Sequence, residues 1–448
     1  MNLPTAPATS VAMTPDQQQA SDAFYRFLMS DETIFILSGG PGVGKTWLMG
    51  HLCDDVLSLY ADSCRMLGRE IQFKSVHFTA TTNKAAEILE HSIKKPVQTI
   101  HSFLGLKVKE DYKTGKTDLI KTNNYEIKKN IILFIDEYSM IDTTMFKLII
   151  DTLPYCKIIF VGDDNQMAPV DESKSPVMCA ITPDNHAFLN QPVRNAGAQP
   201  LVDICNQLRQ TVETGVFHPI KEVPGYIEYL DDAQMQQKLD QHFQDLDPSC
   251  RVLCYTNSRV KQFNDHIRQV VRGMPAEIQV GDTLVVAQNA QTTAGQTINV
   301  EREVYVTHIG PAMDTGLDPS IFEDGKELLY QEVKVRVLPF HKNDYVLRVP
   351  LENERWSIAV KYFARIKDWH NYFALKNKLA DLRDKAACTV YKAQGSTYDF
   401  VFLDLGNIGT SFDAEQVARM LYVGFSRAKS KVYLYGQLPN KYTYPRTP

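Results

Sequence analysis

The 448-residue sequence predicts two α/β domains, the second of them split by an inserted β-rich domain. Three observations carry this expectation. Between residues 34 and 161 short apolar runs alternate with helical patterns, as in a parallel sheet covered on both faces. The same alternation returns between 388 and 435. From 280 to 349 the pattern shortens to closely spaced β runs, the spacing of a small barrel. The expected boundaries are 1–180 for the first domain, with a hairpin insertion at 106–128, and 181–278 with 386–448 for the second. Residues 279–385 are expected to form the inserted barrel and a helical arm.

Thr14-Pro15-Asp16 marks a helix start, a capping hydroxyl followed by proline at the first helical position. That helix runs through Ala23, Phe24, Phe27 and Leu28. A strand over 35–38, a glycine-rich turn and a helix to about Tyr60 come next, then a strand near 73–80 and a helix over 83–91. Strands over 131–135 and 157–161 flank a helix over 143–153. Residues 106–128 break the alternation with a lysine-rich stretch around Gly115, read as a projecting hairpin. Its charge suits either a polyanion or a solvated surface. A second βα region is expected from Phe188, with a strand over 251–255 and a helix over 260–271. The β runs of the insertion fall at 283–287, 303–309, 331–338 and 345–349, and 356–385 is helical, aromatic and basic. Strands over 388–391, 401–405 and 431–435 complete the second domain, and no internal repeat is visible.

Composition narrows the function classes. A net charge of −5 argues against a protein that coats nucleic acid by charge alone, while leaving room for a locally basic groove. No apolar run approaches the length of a membrane span, and the first residues lack a basic stretch leading into an apolar one. A cytoplasmic protein with a loose leader to about residue 12 is expected. The eight cysteines are scattered without a zinc-site spacing and read as reduced, structural thiols.

The chemistry begins at "SGGPGVGKTW", residues 38–47. Gly39, Gly40, Gly42, Val43 and Gly44, followed by Lys45 and Thr46, form the loop whose backbone N–H groups wrap phosphates at a helix N-terminus. In "IILFIDEYSM", Asp136 and Glu137 end a second apolar strand. Behind a phosphate loop such a pair divides labour: Asp136 for Mg²⁺, which Thr46 also holds, and Glu137 to polarise the attacking water. Gln166 in "GDDNQMAPV" is an amide on a third loop at the same sheet edge, placed for the γ-phosphate or the water.

The succession GGPGVGKT, FTATTNKAAEIL, QTIHSFLGL, DEYSM, GDDNQMAPV, YKAQGST and LYVGFSRAK resembles the superfamily 1 helicases. Within them it is most similar to the RecD-like branch and the phage Dda-type DNA helicases. The resemblance runs from Thr14 to about Tyr435 and is weakest from about 310 to 385. It implies two RecA-like P-loop domains, an SH3-like barrel as the insertion, ATP as the nucleotide, and 5′→3′ movement on single-stranded DNA ahead of a forked duplex. It implies that Gln17 reads adenine, that Arg194 and Arg427 reach the γ-phosphate from the second domain, and that Gln394 and Gly395 link nucleotide to DNA. It implies DNA-backbone contacts from Thr82, Asn83, Thr99, His101, Ser102, Thr256, Asn257, Thr389, Lys392 and Ser396. Hydroxyls and helix-terminal amides suit that task because they position a strand without reading sequence. The hairpin corresponds to a strand-splitting pin, and the barrel to a strand cover or a partner-binding module. Asn83 and Tyr391 stand where relatives often carry histidine, and Ser426 where threonine is frequent. The resemblance also suggests replication or recombination, a phage source, a monomer and a single-stranded-DNA-binding protein as partner. A DNA-bound switch without unwinding is the alternative. An ATP-driven nuclease subunit lacks a clustered acidic motif to support it.

Overall fold

The computed structural model describes residues 12–169, 172–193, 197–338 and 343–442, so nearly all of the expected leader lies outside the described residues. The chain divides into two compact units: residues 1–81, 89–98 and 127–197 form the first, and residues 82–88, 99–126 and 198–448 the second.

The first sheet runs in the order Val97–Thr99, Ser75–Ala80, Ile131–Asp136, Lys157–Gly162, Ile34–Gly39, His186–Leu189. From Ser75–Ala80 onward every pairing is parallel. Its central strands are buried on both faces, which is why they read as unbroken apolar runs rather than alternating ones. The helix Pro15–Met29 starts where the sequence puts it, because Thr14 and Gln17 cap each other's backbone in a capping box. It lays Phe24, Phe27 and Leu28 against Phe35, Phe134 and Ile159. The helix expected to reach Tyr60 is two helices, Lys45–Asp54 and Val56–Met66, parted at Asp55. The expected boundary at 180 also shifts. Phe188 lies in the strand His186–Leu189, which pairs with Ile34–Gly39, so it extends the first sheet rather than opening the second.

The second sheet, Ala387–Thr389, Cys250–Cys254, Tyr398–Asp404, Ala428–Tyr435, Ile227–Leu230, is parallel throughout. The strand expected over 388–391 stops at Thr389, and Tyr391 lies in a single helical turn, Val390–Ala393. The helix expected over 260–271 is Asn257–His266, continued by a π-turn, Ile267–Val271. Arg268 in that turn is buried and donates to Asp282 at 2.7 Å, to Asp384 at 3.3 Å and to the Glu277 carbonyl at 2.7 Å. Asp282 and Asp384 stand where the chain enters and leaves the insertion, so one guanidinium ties both ends of it to the second sheet's helix.

The insertion is an antiparallel five-stranded sheet in the order Asp344–Pro350, Leu329–Val337, Glu303–Asp314, Thr283–Val286, Leu382–Arg383. It curls far enough for the Ala380 amide to donate to the Arg348 carbonyl at 2.7 Å, bringing its two edges together around Val304, Val335 and Leu347. The stretch expected to be helical is two helices, Asn353–Arg365 and Trp369–Lys378. The hairpin forms as expected from Leu106–Glu110 and Thr117–Lys121. Its turn glycine, Gly115, has φ +74°, and a Cβ there would come within 2.5 Å of the Trp369 ring. Tyr112 meets Phe373 edge-on at 5.3 Å, and Asn377 donates to Glu110 at 2.9 Å. Hairpin and arm are thus packed together, a contact that no local sequence pattern announces.

At the foot of the first sheet, the buried Lys157 ammonium donates to the carbonyls of Phe27 (3.0 Å), Ser30 (2.8 Å) and Glu32, and lies 4.5 Å from the Phe27 ring centre. It closes the C-terminus of the first helix. Burial pushes it down to about 8, against the partial offset of Asp31 and Glu32. An amine whose folded value lies below its unfolded value of about 10.4 leaves the unfolded chain holding more protons across that window, so stability rises with pH there. The stability gap between wild type and Lys157→Met should therefore widen between pH 7.5 and 9.5 in urea titrations. A gap independent of pH would contradict this account of Lys157.

Candidate phosphate site and nucleic-acid cleft

In the first unit, three loops meet at the carboxyl ends of parallel strands, where such sheets bind ligands. The first is the glycine turn. Gly42 and Gly44 have φ +79° and +85°, values that a side chain resists. Gly39 is required for another reason: a Cβ would lie 2.6 Å from the Leu189 carbonyl of the neighbouring strand. Gly40 and Val43 complete the turn, and Lys45 folds its ammonium over it, donating to the Gly39 and Gly40 carbonyls at 2.7 and 2.9 Å. Lys45 and Thr46 open the helix Lys45–Asp54, so its free amides face the loop.

Gln17, expected to read adenine, is buried against this loop. Its amide donates to the Val43 carbonyl at 3.1 Å and accepts from the Thr14 amide at 3.0 Å. Asp16 accepts the Asn190 and Gln191 amides at 2.7 and 2.9 Å, and the Val193 amide donates to the Gly42 carbonyl at 2.8 Å. The segment leading to Arg194 is therefore part of the first unit, not of the second as expected. Arg194 itself lies outside the described residues.

The second loop carries Asp136 and Glu137. Asp136 accepts the Glu137 amide at 2.9 Å, and Glu137 adopts a left-handed φ of +58°, unusual for a residue with a side chain. Burial and the adjacent Glu137 charge push the Asp136 carboxyl up to about 7, opposed by the Glu137 amide and by Lys45. A carboxylate so burdened favours a cation beside it, and Asp136 together with the Thr46 hydroxyl of the loop's helix is a hard-oxygen donor set that fits Mg²⁺. On the third loop, buried Gln166 donates from its amide to Asp163 at 3.3 Å.

Tyr138, which the sequence reading passed over, joins all three loops. Its buried hydroxyl donates to Asp164 at 3.0 Å and lies 2.9 Å from Ser38 Oγ. Its ring fills the space a side chain at Gly162 would need, with Cδ1 2.8 Å from the ideal Cβ. The aromatic between the acidic pair and Ser139 was the available signal.

The second unit gathers the other candidates. A cleft of about 420 Å³ is lined by Asn257, Thr389, Lys392, Gly395 and Ser396, five residues drawn from two separate motifs. Gly395 needs its φ of +77°. Lys392 is not a bare cation: it pairs with Glu301 at 2.6 Å. Tyr391 is held by Gln416, whose amide donates to its hydroxyl at 2.7 Å. Arg427 is buried, with its guanidinium donating to Ser426 Oγ at 2.8 Å and to the Ser396 carbonyl at 3.2 Å. Ser426 in turn donates to the Val423 carbonyl at 2.7 Å, so the hydroxyl before the arginine orients it. Gln394 is buried beside this loop.

The threonines follow a pattern. Thr82, Thr99, Thr256 and Thr389 each accept the amide three residues on, at 3.1, 3.2, 3.3 and 3.3 Å, and cap a helix. Thr82 and Thr99 follow adjacent strands at one edge of the first sheet, and Thr256 and Thr389 follow adjacent strands at the matching edge of the second. In each sheet the edge strand runs into one helical turn: Ile100–Phe103 with His101 and Ser102, and Val390–Ala393 with Tyr391 and Lys392. This internal repeat was not visible in the sequence, because the copies share only Thr-Asn at 82–83 and 256–257 and only the threonine at 99 and 389. Asn83 follows the first cap and accepts from the Asn299 amide at 3.4 Å.

A glycine turn, a lysine and a carboxylate pair at the carboxyl edge of a parallel sheet define a P-loop nucleoside triphosphatase. The AAA domain family matches residues 25–172, and the UvrD-like helicase C-terminal domain family matches residues 385–435. The ATP-dependent DNA helicase dda of Enterobacteria phage T4 is 22% identical over 460 residues, spanning 94% of this chain and 98% of that protein. RecBCD enzyme subunit RecD of Buchnera aphidicola subsp. Schizaphis graminum is 28% identical over 180 residues, 36% of this chain and 27% of its own length. Among solved structures, the Pif1 helicase of Candida albicans aligns over 98% of both chains at 16% identity with a TM-score of 0.42. Over nearly its whole length the chain is thus similar to an ATP-dependent DNA helicase, with a UvrD-like helicase C-terminal match near its end.

Tyr138→Phe removes one hydroxyl from the junction of the three loops while keeping the ring that Gly162 accommodates. With a hydrogen bond worth about 1 kcal/mol, kcat for ATP should fall roughly five- to tenfold with little change in ATP affinity. An unchanged kcat in steady-state kinetics would show that Tyr138 does not position the site.

Proposed function

We propose that this protein is an ATP-dependent DNA helicase that moves 5′→3′ along single-stranded DNA and separates duplex strands at a fork during replication or recombination. The observation that carries the reading is the repeated threonine-capped turn at corresponding edges of two parallel sheets. Two equivalent grips on a backbone, with one triphosphate site, are what a stepping motor needs. A single-grip switch needs only one, and that favours movement over the alternative of a DNA-bound clamp.

On this reading the two sheets are RecA-like cores and the curled insertion an SH3-like barrel. Lys45 and the loop amides neutralise the β- and γ-phosphates, Glu137 takes the proton of the attacking water, and Gln166 orients that water. Thr46 and Asp136 would hold Mg²⁺, whose charge supports the departing phosphate. Arg427, with Arg194, serves the γ-phosphate as a cationic fork. Gln17 reads the adenine edge by turning its amide from Val43. Gln394 and Gly395 join that end of the machinery to the DNA contacts of Thr82, Asn83, Thr99, His101, Ser102, Thr256, Asn257, Thr389, Lys392 and Ser396. The hairpin, braced by Trp369 and Phe373, is the pin. Among the described residues no helix is long and apolar enough to cross a membrane. A monomer in the cytoplasm of an infected bacterium, working beside a single-stranded-DNA-binding protein, fits the phage relative.

Strand displacement on otherwise identical duplexes tests class and polarity together: a 5′ tail should support unwinding and a 3′ tail should not. Lys45→Ala should abolish hydrolysis through lost charge neutralisation, and normal ATPase in that variant would refute the phosphate-site assignment. Gly115→Val forces a branched side chain into the Trp369 ring and into a left-handed φ. It should cut unwinding at least several-fold while DNA-stimulated ATPase stays near wild type. Equal loss of both would refute the pin.

A further inference from the structure

Arg251 is not among the residues that the sequence motifs single out. It lies on the strand Cys250–Cys254 with its side chain on the wall of the 420 Å³ cleft that Thr389, Lys392 and Ser396 also line. The guanidinium sits 5.0 Å from the centre of the Tyr398 ring, and its Nε is buried with no hydrogen-bond partner. Three other cations of this wall are matched: Lys392 pairs with Glu301 at 2.6 Å, Lys385 with Glu303 at 2.7 Å and Arg383 with Asp381 at 2.7 Å. Among the described residues no carboxylate lies within ion-pair distance of Arg251. Glu303, the acid whose charge reaches it, is already held by Lys385.

The groups that do touch Arg251 carry no charge. Burial pushes the Cys388 thiol up to about 11 and raises the Tyr398 phenol, so both are neutral at ordinary pH. A guanidinium whose Nε is shut off from water without an anion beside it is costly, and its planar fork matches two oxygens of a phosphate. The opening beside it is already bordered by hydroxyls and amides of the kind that hold a sugar–phosphate chain.

We propose that Arg251 binds a backbone phosphate of the single strand, and so is a DNA-binding residue of the second unit. The inference rests on the helicase reading, since it names a further ligand contact in the same cleft. It makes Arg251 a point of charge neutralisation rather than of sequence recognition.

Salt dependence reads this directly. Binding of a fluorescent oligothymidylate by the full chain without nucleotide is measured between 50 and 300 mM NaCl, and log K is plotted against log [salt]. Each neutralised phosphate of a single strand contributes about 0.7 to the slope. Arg251→Met should make the slope shallower by about that amount and weaken binding at 50 mM, whereas Arg251→Lys should keep the slope. Equal thermal midpoints establish that the Met variant is folded, and if they differ, Arg251→Gln, which should make the slope shallower by the same amount, replaces it in the comparison with Arg251→Lys. A slope unchanged in a folded variant overturns the inference. Competition by inorganic phosphate at constant ionic strength, lost in Arg251→Met, would assign the site to free phosphate and also overturn it. A wild-type protein that fails to bind the oligomer would instead refute the helicase reading.

Discussion

Parallel strands constrain everything else in this molecule. Because each must return across a helix to start the next, every strand of a parallel sheet ends at the same edge, and every following helix begins there. That edge collects unpaired amides and the positive ends of helix dipoles. The first sheet uses it for the glycine turn, Lys45, Asp136 and Gln166, and both sheets use it for threonine-capped turns. Triphosphate and DNA backbone are alike in chemistry, and the fold offers each the same kind of surface.

What distinguishes the sites is what surrounds those amides. At the glycine turn, positive φ angles at Gly42 and Gly44 aim successive N–H groups inward, and Tyr138 locks the turn's strand to the two loops beside it. At the capped turns, the threonine hydroxyl takes the amide three residues on. Arg427 belongs with the capped turn of the second sheet. Its helix carries Gln416, bonded to Tyr391 of the capped turn, and its guanidinium bonds the Ser396 carbonyl at the end of the same loop. The segment from Tyr391 to Ser396 is therefore fastened to both ends of one helix.

The sequence made legible whatever depends on neighbours in the chain. The helix start at Thr14, the glycine turn, the strand ending in Asp136 and the hairpin all follow from local chemistry. Four-residue edge strands and single helical turns were misplaced because they are too short to show a period: His186–Leu189 was given to the wrong sheet, and the turn holding Tyr391 was read as strand. Contacts distant in sequence were invisible. Tyr138 with Asp164, Arg268 with both ends of the insertion, and Gly115 with Trp369 join segments that no spacing rule connects. Among the candidate site residues, the glycine turn, Lys45, Asp136, Glu137 and Arg427 were proposed from motifs, whereas Arg251 was not. The groups that orient them, Tyr138, Ser426 and Gln416, look like ordinary core or surface residues until their partners are placed.

The central claim is that one chain couples a triphosphate site to two grips on a single strand. Steady-state ATP hydrolysis titrated with oligothymidylate tests it most directly. Coupling predicts a slow basal rate that rises at least tenfold and saturates with DNA. A rate indifferent to single-stranded DNA across the titration would contradict it.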